Sequence, residues 1–230
     1  MKHLFSKILI LVTTFQFAYG LAGFGIYGNQ DLFSTTSEAT TSGSVNVVPG
    51  SLDNAGMLGF YFYIDALPFV DLQADFEFGG NIYNFTSGTD LGITEGEFPW
   101  IRASQYYSVR KKIIGVSIPF LAKAQIYGGG GFNSHTVTPS VSVEFIEDAF
   151  SDMSLDDAAS QDFSGSATDT LVDFMNENKI KSSGVHIMVG GQAKLLAFNV
   201  FTNLRYTIAK DVVPGKNGFP SMWVGLGFGI

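Results

Sequence analysis

From residue 21 onward, apolar and polar positions alternate with a period of two, the repeat of a β-strand whose two faces meet different surroundings. Between Val70 and Phe78, the residues Val70, Leu72, Ala74, Phe76 and Phe78 fall on one face. Asp71, Gln73, Asp75 and Glu77 fall on the other. The pattern recurs at 185–194, at 198–207 and at 122–133, where Lys123, Gln125 and Tyr127 alternate with Ala122, Ala124 and Ile126. It returns at the C-terminus, where Met222, Val224, Leu226, Phe228 and Ile230 share a face. Weaker alternation fills the gaps, and residues 57–66 are aromatic on both faces. The spacing predicts strands at about 21–30, 54–66, 70–84, 102–115, 120–134, 184–194, 196–209 and 220–230.

The connections between these strands sort into two kinds. Those near Leu67-Pro68-Phe69, near Gly115 to Pro119 and near Leu195 are short, whereas 31–53, 85–101, 135–183 and 210–219 are longer and polar. Short and long alternate strictly, the rhythm of an up-and-down meander with tight turns on one rim and loops on the other. The expected class is therefore all-β: an antiparallel up-and-down transmembrane β-barrel of about eight strands over 21–230, carrying one long, partly helical outer loop at 135–183. Between Glu144 and Glu177 that loop holds Glu144, Glu147, Asp148, Asp152, Asp156, Asp157, Asp162, Asp169, Asp173 and Glu177 and no Lys or Arg. Ser154-Leu155-Asp156-Asp157 fits a capping box, and Leu171, Val172, Phe174 and Met175 mark a helix near 167–179.

Composition supports export. Lys2 and Lys7 precede an apolar run at Ile8 to Val12, and Ala18-Tyr19-Gly20 sets small residues at −3 and −1 of a cleavage site, so residues 1–20 read as a signal peptide. Its loss would remove two lysines and take the net charge from −8 to −10, which argues against nucleic acid as a partner. No apolar run of about 18 residues, the length of a spanning helix, follows the leader. The chain has no cysteine, so a disulfide scaffold, a thiolate metal site and a Cys nucleophile are all excluded.

The same alternation could serve a soluble barrel with its apolar face inward. Charges at successive positions of the polar face argue for lipid outside instead, because a small dry core could not hold them unpaired. Aromatic residues near strand ends (Tyr27, Tyr83, Tyr106, Tyr107, Tyr127, Phe132, Tyr206 and Trp223) suggest interfacial girdles. In this architecture and in its last strand the chain resembles the eight-stranded outer-membrane barrels of the opacity-protein and outer-membrane-protein-A type. Val224, Leu226, Phe228 and Ile230 follow the alternation that the barrel-assembly machinery reads in that group, although there the last residue is commonly aromatic and here Phe228 lies two positions earlier. The resemblance implies a Gram-negative outer-membrane location, with lipid and the assembly machinery as partners.

Candidate chemistry gathers on the inward face. Asp71, Asp75 and Glu77 of the third strand, Arg110 and Lys112 of the fourth and Lys123 of the fifth point into the barrel, with His186, Lys194 and Arg205 beyond them. A hairpin folded regularly about 85–101 would set Asp75 near Arg110 and Gln73 near Lys112. Eight strands enclose a lumen just wide enough for side chains to fill, so this set reads as an internal ion-pair network, with a narrow conducting path as the alternative. Gly23-Phe24-Gly25-Ile26-Tyr27-Gly28 spells G-x-G-x-x-G but lacks the strand before and helix after that dinucleotide binding needs. His135 is expected in an outer loop and His186 in the lumen, too far apart for a shared metal. The acidic loop lacks a calcium-loop pattern, and no spacing identifies a catalytic set. No cofactor is expected. Three functions follow in order: a plugged barrel anchoring surface loops for structure or for binding a surface ligand or envelope partner; a small pore or carrier of hydrophobic molecules; an outer-membrane enzyme.

Overall fold

The computed structural model describes residues 22–65, 69–90, 92–118, 121–152, 154–160 and 166–229. Residues 1–21, with the expected signal peptide, and Ile230 lie outside them. Ten strands are present: β1 (Ala22–Thr36), β2 (Thr40–Ser42), β3 (Val45–Pro49), β4 (Ser51–Ile64), β5 (Asp71–Thr89), β6 (Gly92–Ile118), β7 (Ala122–Val137), β8 (Ile180–Leu195), β9 (Phe198–Val213) and β10 (Lys216–Gly229). Three helices separate β7 from β8: α1 (Val143–Ala149), α2 (Leu155–Ala159) and α3 (Ser166–Glu177).

Eight strands close a ring in the order β1-β4-β5-β6-β7-β8-β9-β10, each antiparallel to its neighbours. Closure can be followed residue by residue. Stepping across paired positions from Tyr107 of β6 passes Ala74, Phe62, Phe24, Phe228, Phe198, Leu195 and Ala122 and returns to β6 at Ile118. The return lands 11 residues further along, one of which belongs to the bulge between Lys112 and Ile114. Such a stagger is the shear that tilts the strands of a closed barrel by roughly 35–45°.

The outward face is apolar all round. On β9, Phe198, Val200, Leu204, Tyr206 and Ile208 are all exposed, and β1, β4 and β10 present Phe24, Ile26, Leu58, Phe62, Val224 and Leu226 in the same way. From Phe198 to Ile208 the strand advances about 3.3 Å per residue, which at that tilt spans roughly 25 Å of height, the apolar band of an outer-membrane barrel. Among the described residues no helix is long and apolar enough to cross a membrane; the apolar outer face is built from strands alone.

Every predicted strand is present and longer than predicted. Two of the four expected long loops are absent. Residues 85–101 continue β5 and β6 as a paired hairpin from Asp71↔Arg110 to Thr89↔Gly92. Residues 210–219 are mostly strand, with the corner taken by Pro214 and Gly215, the glycine at φ 70°. Gly, Glu and Pro made these stretches look loop-like, yet Phe98 and Trp100 keep the two-residue alternation and bury. Segment 31–53 likewise contributes the ends of β1 and β4 and the small hairpin β2–β3, which pairs with the upper half of β5. Between ring strands, long connections remain from β1 to β4, at 37–50, and from β7 to β8.

The β7–β8 connection folds over the rim. Ser142 caps α1, its hydroxyl accepting from the Phe145 N–H at 3.1 Å, and Val143, Phe145 and Ile146 bury. Phe145 packs edge-on to Phe98 and Phe174 at 5.3 and 5.1 Å between ring centres. Ser154 caps α2 as its sequence indicates, and α3 buries Met175. With Phe33, Val45, Val47, Tyr83, Trp100 and Phe219 these side chains form an apolar core above the barrel.

Candidate functional site

The side chains that fill the barrel come from alternate residues of all eight ring strands and lie in layers. At the short-turn end, the Arg110 guanidinium donates to Asp65 at 3.1 Å and lies 3.9 Å from Asp71, while Lys123 donates to the other Asp65 oxygen at 3.1 Å. Arg110 also lies over the rings of Tyr127 (4.8 Å) and Phe201 (5.4 Å). Those rings belong to an aromatic layer of Tyr27, Tyr61, Tyr63, Tyr127, Phe201 and Trp223, all buried. Beside it the amide of Gln125 donates to Gln192, and that of Gln192 to Asn199.

The next layer holds the charges together. Glu77 of β5 accepts from Arg102 of β6 at 2.7 Å through one oxygen, and from Arg205 of β9 at 2.8 Å and the Tyr27 hydroxyl at 3.1 Å through the other. Arg102 reaches Asp31 of β1 at 2.8 Å. Arg205 reaches Asp75 at 3.6 Å and stacks on Tyr106, its guanidinium carbon 3.4 Å from the ring centre. Asp31, Asp75, Glu77, Arg102 and Arg205 are all buried, and Arg102 is further covered by Phe219 at 4.7 Å. Taken with the lower layer, Arg102, Arg110, Lys123, Lys194 and Arg205 face Asp31, Asp65, Asp71, Asp75 and Glu77, so the lumen is formally neutral among the described residues. Neutrality matters here because an unpaired charge in such a site carries a penalty of several kcal/mol.

Several positions differ from the sequence expectation. Asp75 lies opposite Tyr106, and Arg110 opposite Asp71, because the β5–β6 pairing ends at Thr89↔Gly92, ahead of the midpoint of 85–101. Lys112 keeps the parity of Arg110 but is exposed, two residues beyond the last β5–β6 pair at Asp71↔Arg110. Lys194 lies opposite Lys123 in the β7–β8 pair and has no ion pair among those found. His135 belongs to β7 and is buried, bonded to Ser104 at 2.8 Å and Asn133 at 3.0 Å. It flanks Tyr106 together with His186, which bonds Ser108 at 2.9 Å. Of the expected girdle, Tyr27, Tyr106, Tyr127 and Trp223 are buried in the lumen and Tyr83 in the upper core, whereas Tyr107, Phe132 and Tyr206 face outward. Gly23 to Gly28 lies within β1, paired on both edges.

Asp31, Asp65 and Arg102 were absent from the sequence-derived set. Their signal is parity: Asp31 follows Tyr27 and Asn29, Asp65 follows Tyr61 and Tyr63, and Arg102 precedes Ser104, Tyr106 and Ser108 on the buried face. In the acidic connection Glu144, Glu147, Asp148, Asp152, Asp156 and Asp157 are all exposed. Asp156 accepts from Ser44 at 2.6 Å and so ties α2 to the β2–β3 turn. No group of three or more His, Asp or Glu able to hold a metal is found among the described residues.

No protein-family model matches the sequence, and neither does any curated protein. Solved structures do match in fold. The outer membrane protein OprG of Pseudomonas aeruginosa aligns with a TM-score of 0.51 at 11% identity, over 93% of this chain and 97% of that one. Neisserial surface protein A aligns over 92% and 97% at 8% identity, with a TM-score of 0.46. The N-terminal β-barrel domain of Pseudomonas aeruginosa OprF aligns over 92% and 98% at 9% identity, with a TM-score of 0.41. With its closed ring and apolar outer band, the chain is an eight-stranded antiparallel β-barrel with the fold of outer-membrane proteins of the outer-membrane-protein-A and opacity-protein type.

Proposed function

We propose that the protein is exported by its leader, inserted in a Gram-negative outer membrane by the barrel-assembly machinery, and serves there as a closed barrel that anchors a folded surface cap for structural or binding roles. The observation that carries this reading is Glu77, held at once by Arg102 and Arg205 from opposite sides of the lumen. An aromatic layer lies below it and an apolar core above it. Ions crossing such a lumen would have to displace buried, mutually paired charges and several large rings, whereas a cap needs only a rigid base. The barrel supplies that base.

Reconstitution in planar bilayers tests the reading: only background conductance is expected, with heat-modifiable gel migration confirming a folded barrel. A stable open channel, or uptake of a hydrophobic solute into vesicles, would favour a pore or carrier instead. An enzyme acting from Ser104 and His135 would need substrate access that the burial of both residues opposes.

A further inference from the structure

The hairpin that lengthens β5 and β6 beyond the barrel leaves one edge of β6 open. β7 stops at Val137, opposite Arg102. The last bonds on that side are made by Thr138: its N–H donates to the Ile101 carbonyl and its hydroxyl accepts from the Ile101 N–H, both at 3.0 Å, and the hydroxyl donates to the Pro99 carbonyl at 3.4 Å. Along an antiparallel strand, alternate residues turn their N–H and C=O to the same side. Pro99, Glu97, Glu95 and Ile93 therefore face the same way as Ile101, away from β5. Pro99 has no N–H to offer, the usual tolerance of proline on an edge. Among the described residues no strand pairs with this side of Ile93 to Glu97. The side chains of Ile93, Glu95 and Glu97 are exposed on one face, Ile93 at 77%.

We infer that this edge receives an extended, cationic polypeptide segment as an added strand. The inference rests on the anchoring role proposed above and names the partner's chemistry. Backbone groups of Ile93, Glu95 and Glu97 supply the ladder, and the two carboxylates select for Lys or Arg at alternate positions of the incoming strand. The surroundings reinforce that sign: no Lys or Arg occurs anywhere from residue 8 to 101, and Asp156 and Asp157 on α2 are exposed. A second copy of the chain is a poor occupant, because antiparallel pairing of two such edges would bring Glu95 and Glu97 against their own kind. The charges and Pro99 thus guard the edge against self-pairing while leaving it open to a strand of opposite charge.

The test uses the full-length barrel folded in detergent micelles and a short synthetic peptide alternating lysine with threonine. Two controls accompany it: the same peptide N-methylated at alternate backbone nitrogens, and the Glu95→Lys/Glu97→Lys variant, whose fold is checked by heat-modifiable migration. Saturable binding is expected, weakened on the order of tenfold by N-methylation, as the loss of one or two backbone hydrogen bonds predicts. Charge reversal should abolish it, and Glu144→Gln/Glu147→Gln should retain it. Should the reversed variant fail to fold, Glu95→Gln/Glu97→Gln replaces it with the same expectation. Equal binding of the methylated peptide would show attraction to the acidic surface alone and overturn the inference. So would binding indifferent to Glu95 and Glu97, self-association through the edge, or no binding at all. None of these outcomes bears on whether the lumen conducts, which is decided separately in bilayers.

Discussion

Replacing Arg205 by methionine is the sharpest probe of the lumen. Arg205 is the cation nearest Asp75, at 3.6 Å, and one of two that hold Glu77. Methionine fills much of the same volume and can still lie on Tyr106, so the change removes charge more than packing. Asp75 and part of Glu77 are then left buried without a counter-ion, a loss that costs roughly 3–5 kcal/mol. For a chain of this size that corresponds to a fall in Tm of roughly 6–20 °C, read as the temperature at which the folded band on a gel converts to the unfolded one. Glu77→Gln should cost less, because Asp31 still faces Arg102 and Asp75 still faces Arg205. Adding Asp75→Asn to Arg205→Met should recover part of the loss by removing the stranded charge. The reasoning fails if Glu77→Gln is as damaging as Arg205→Met, or if Asp75→Asn gives no rescue.

Other expectations follow from single features. Leu204→Arg, on the outward face of β9, should cost about 2–4 kcal/mol in a bilayer; a change within about 0.5 kcal/mol, as on a wetted surface, would contradict the lipid-facing assignment. Gly131→Ala should abolish folding, because a Cβ there would collide with the Tyr107 carbonyl, whereas at Gly28→Ala the Cβ meets nothing within 4 Å and the chain should fold with normal yield. Excising 144–178 and bridging the ends with a short glycine-rich segment should leave a heat-modifiable barrel while exposing Phe98 and Tyr83, detected as faster proteolysis of the β5–β6 hairpin. Phe98→Ala should loosen the cap by about 3–5 kcal/mol, with a changed emission from neighbouring Trp100 as the readout.

Much of the barrel was legible because an apolar outer face and a polar lumen impose the same period on every strand. Leu72 to Phe78 shows it most plainly, with Gln73, Asp75 and Glu77 buried in the lumen and Leu72 and Phe78 exposed outside. The reading weakened where that contrast disappears. Above the membrane band, β5 and β6 meet water on one face and a cap on the other, so Gly96, Glu97 and Pro99 resembled a loop although their strand continues. The ion pairs were legible as a set of inward residues but not as partners: a hairpin that ends its pairing at Thr89↔Gly92 moved every contact of Arg110. Asp31 and Arg102 fell at or beyond the predicted strand limits, where alternation alone gives no boundary. Aromatic residues were the hardest case, since Tyr127 and Tyr107 differ in environment only through parity.

The arrangement of charges also constrains how the molecule can be built. Glu77 and Arg102 sit on adjacent strands, so their bond can form within a single hairpin. Asp31 arrives from the first strand and Arg205 from the ninth, and neither can reach its partner until the two margins of the growing sheet approach. A sheet that had not closed would leave those groups without their partners. The final seam, β1 against β10, is therefore the step that quenches them, and it should behave as an all-or-none latch: late to form, and slow to release once formed.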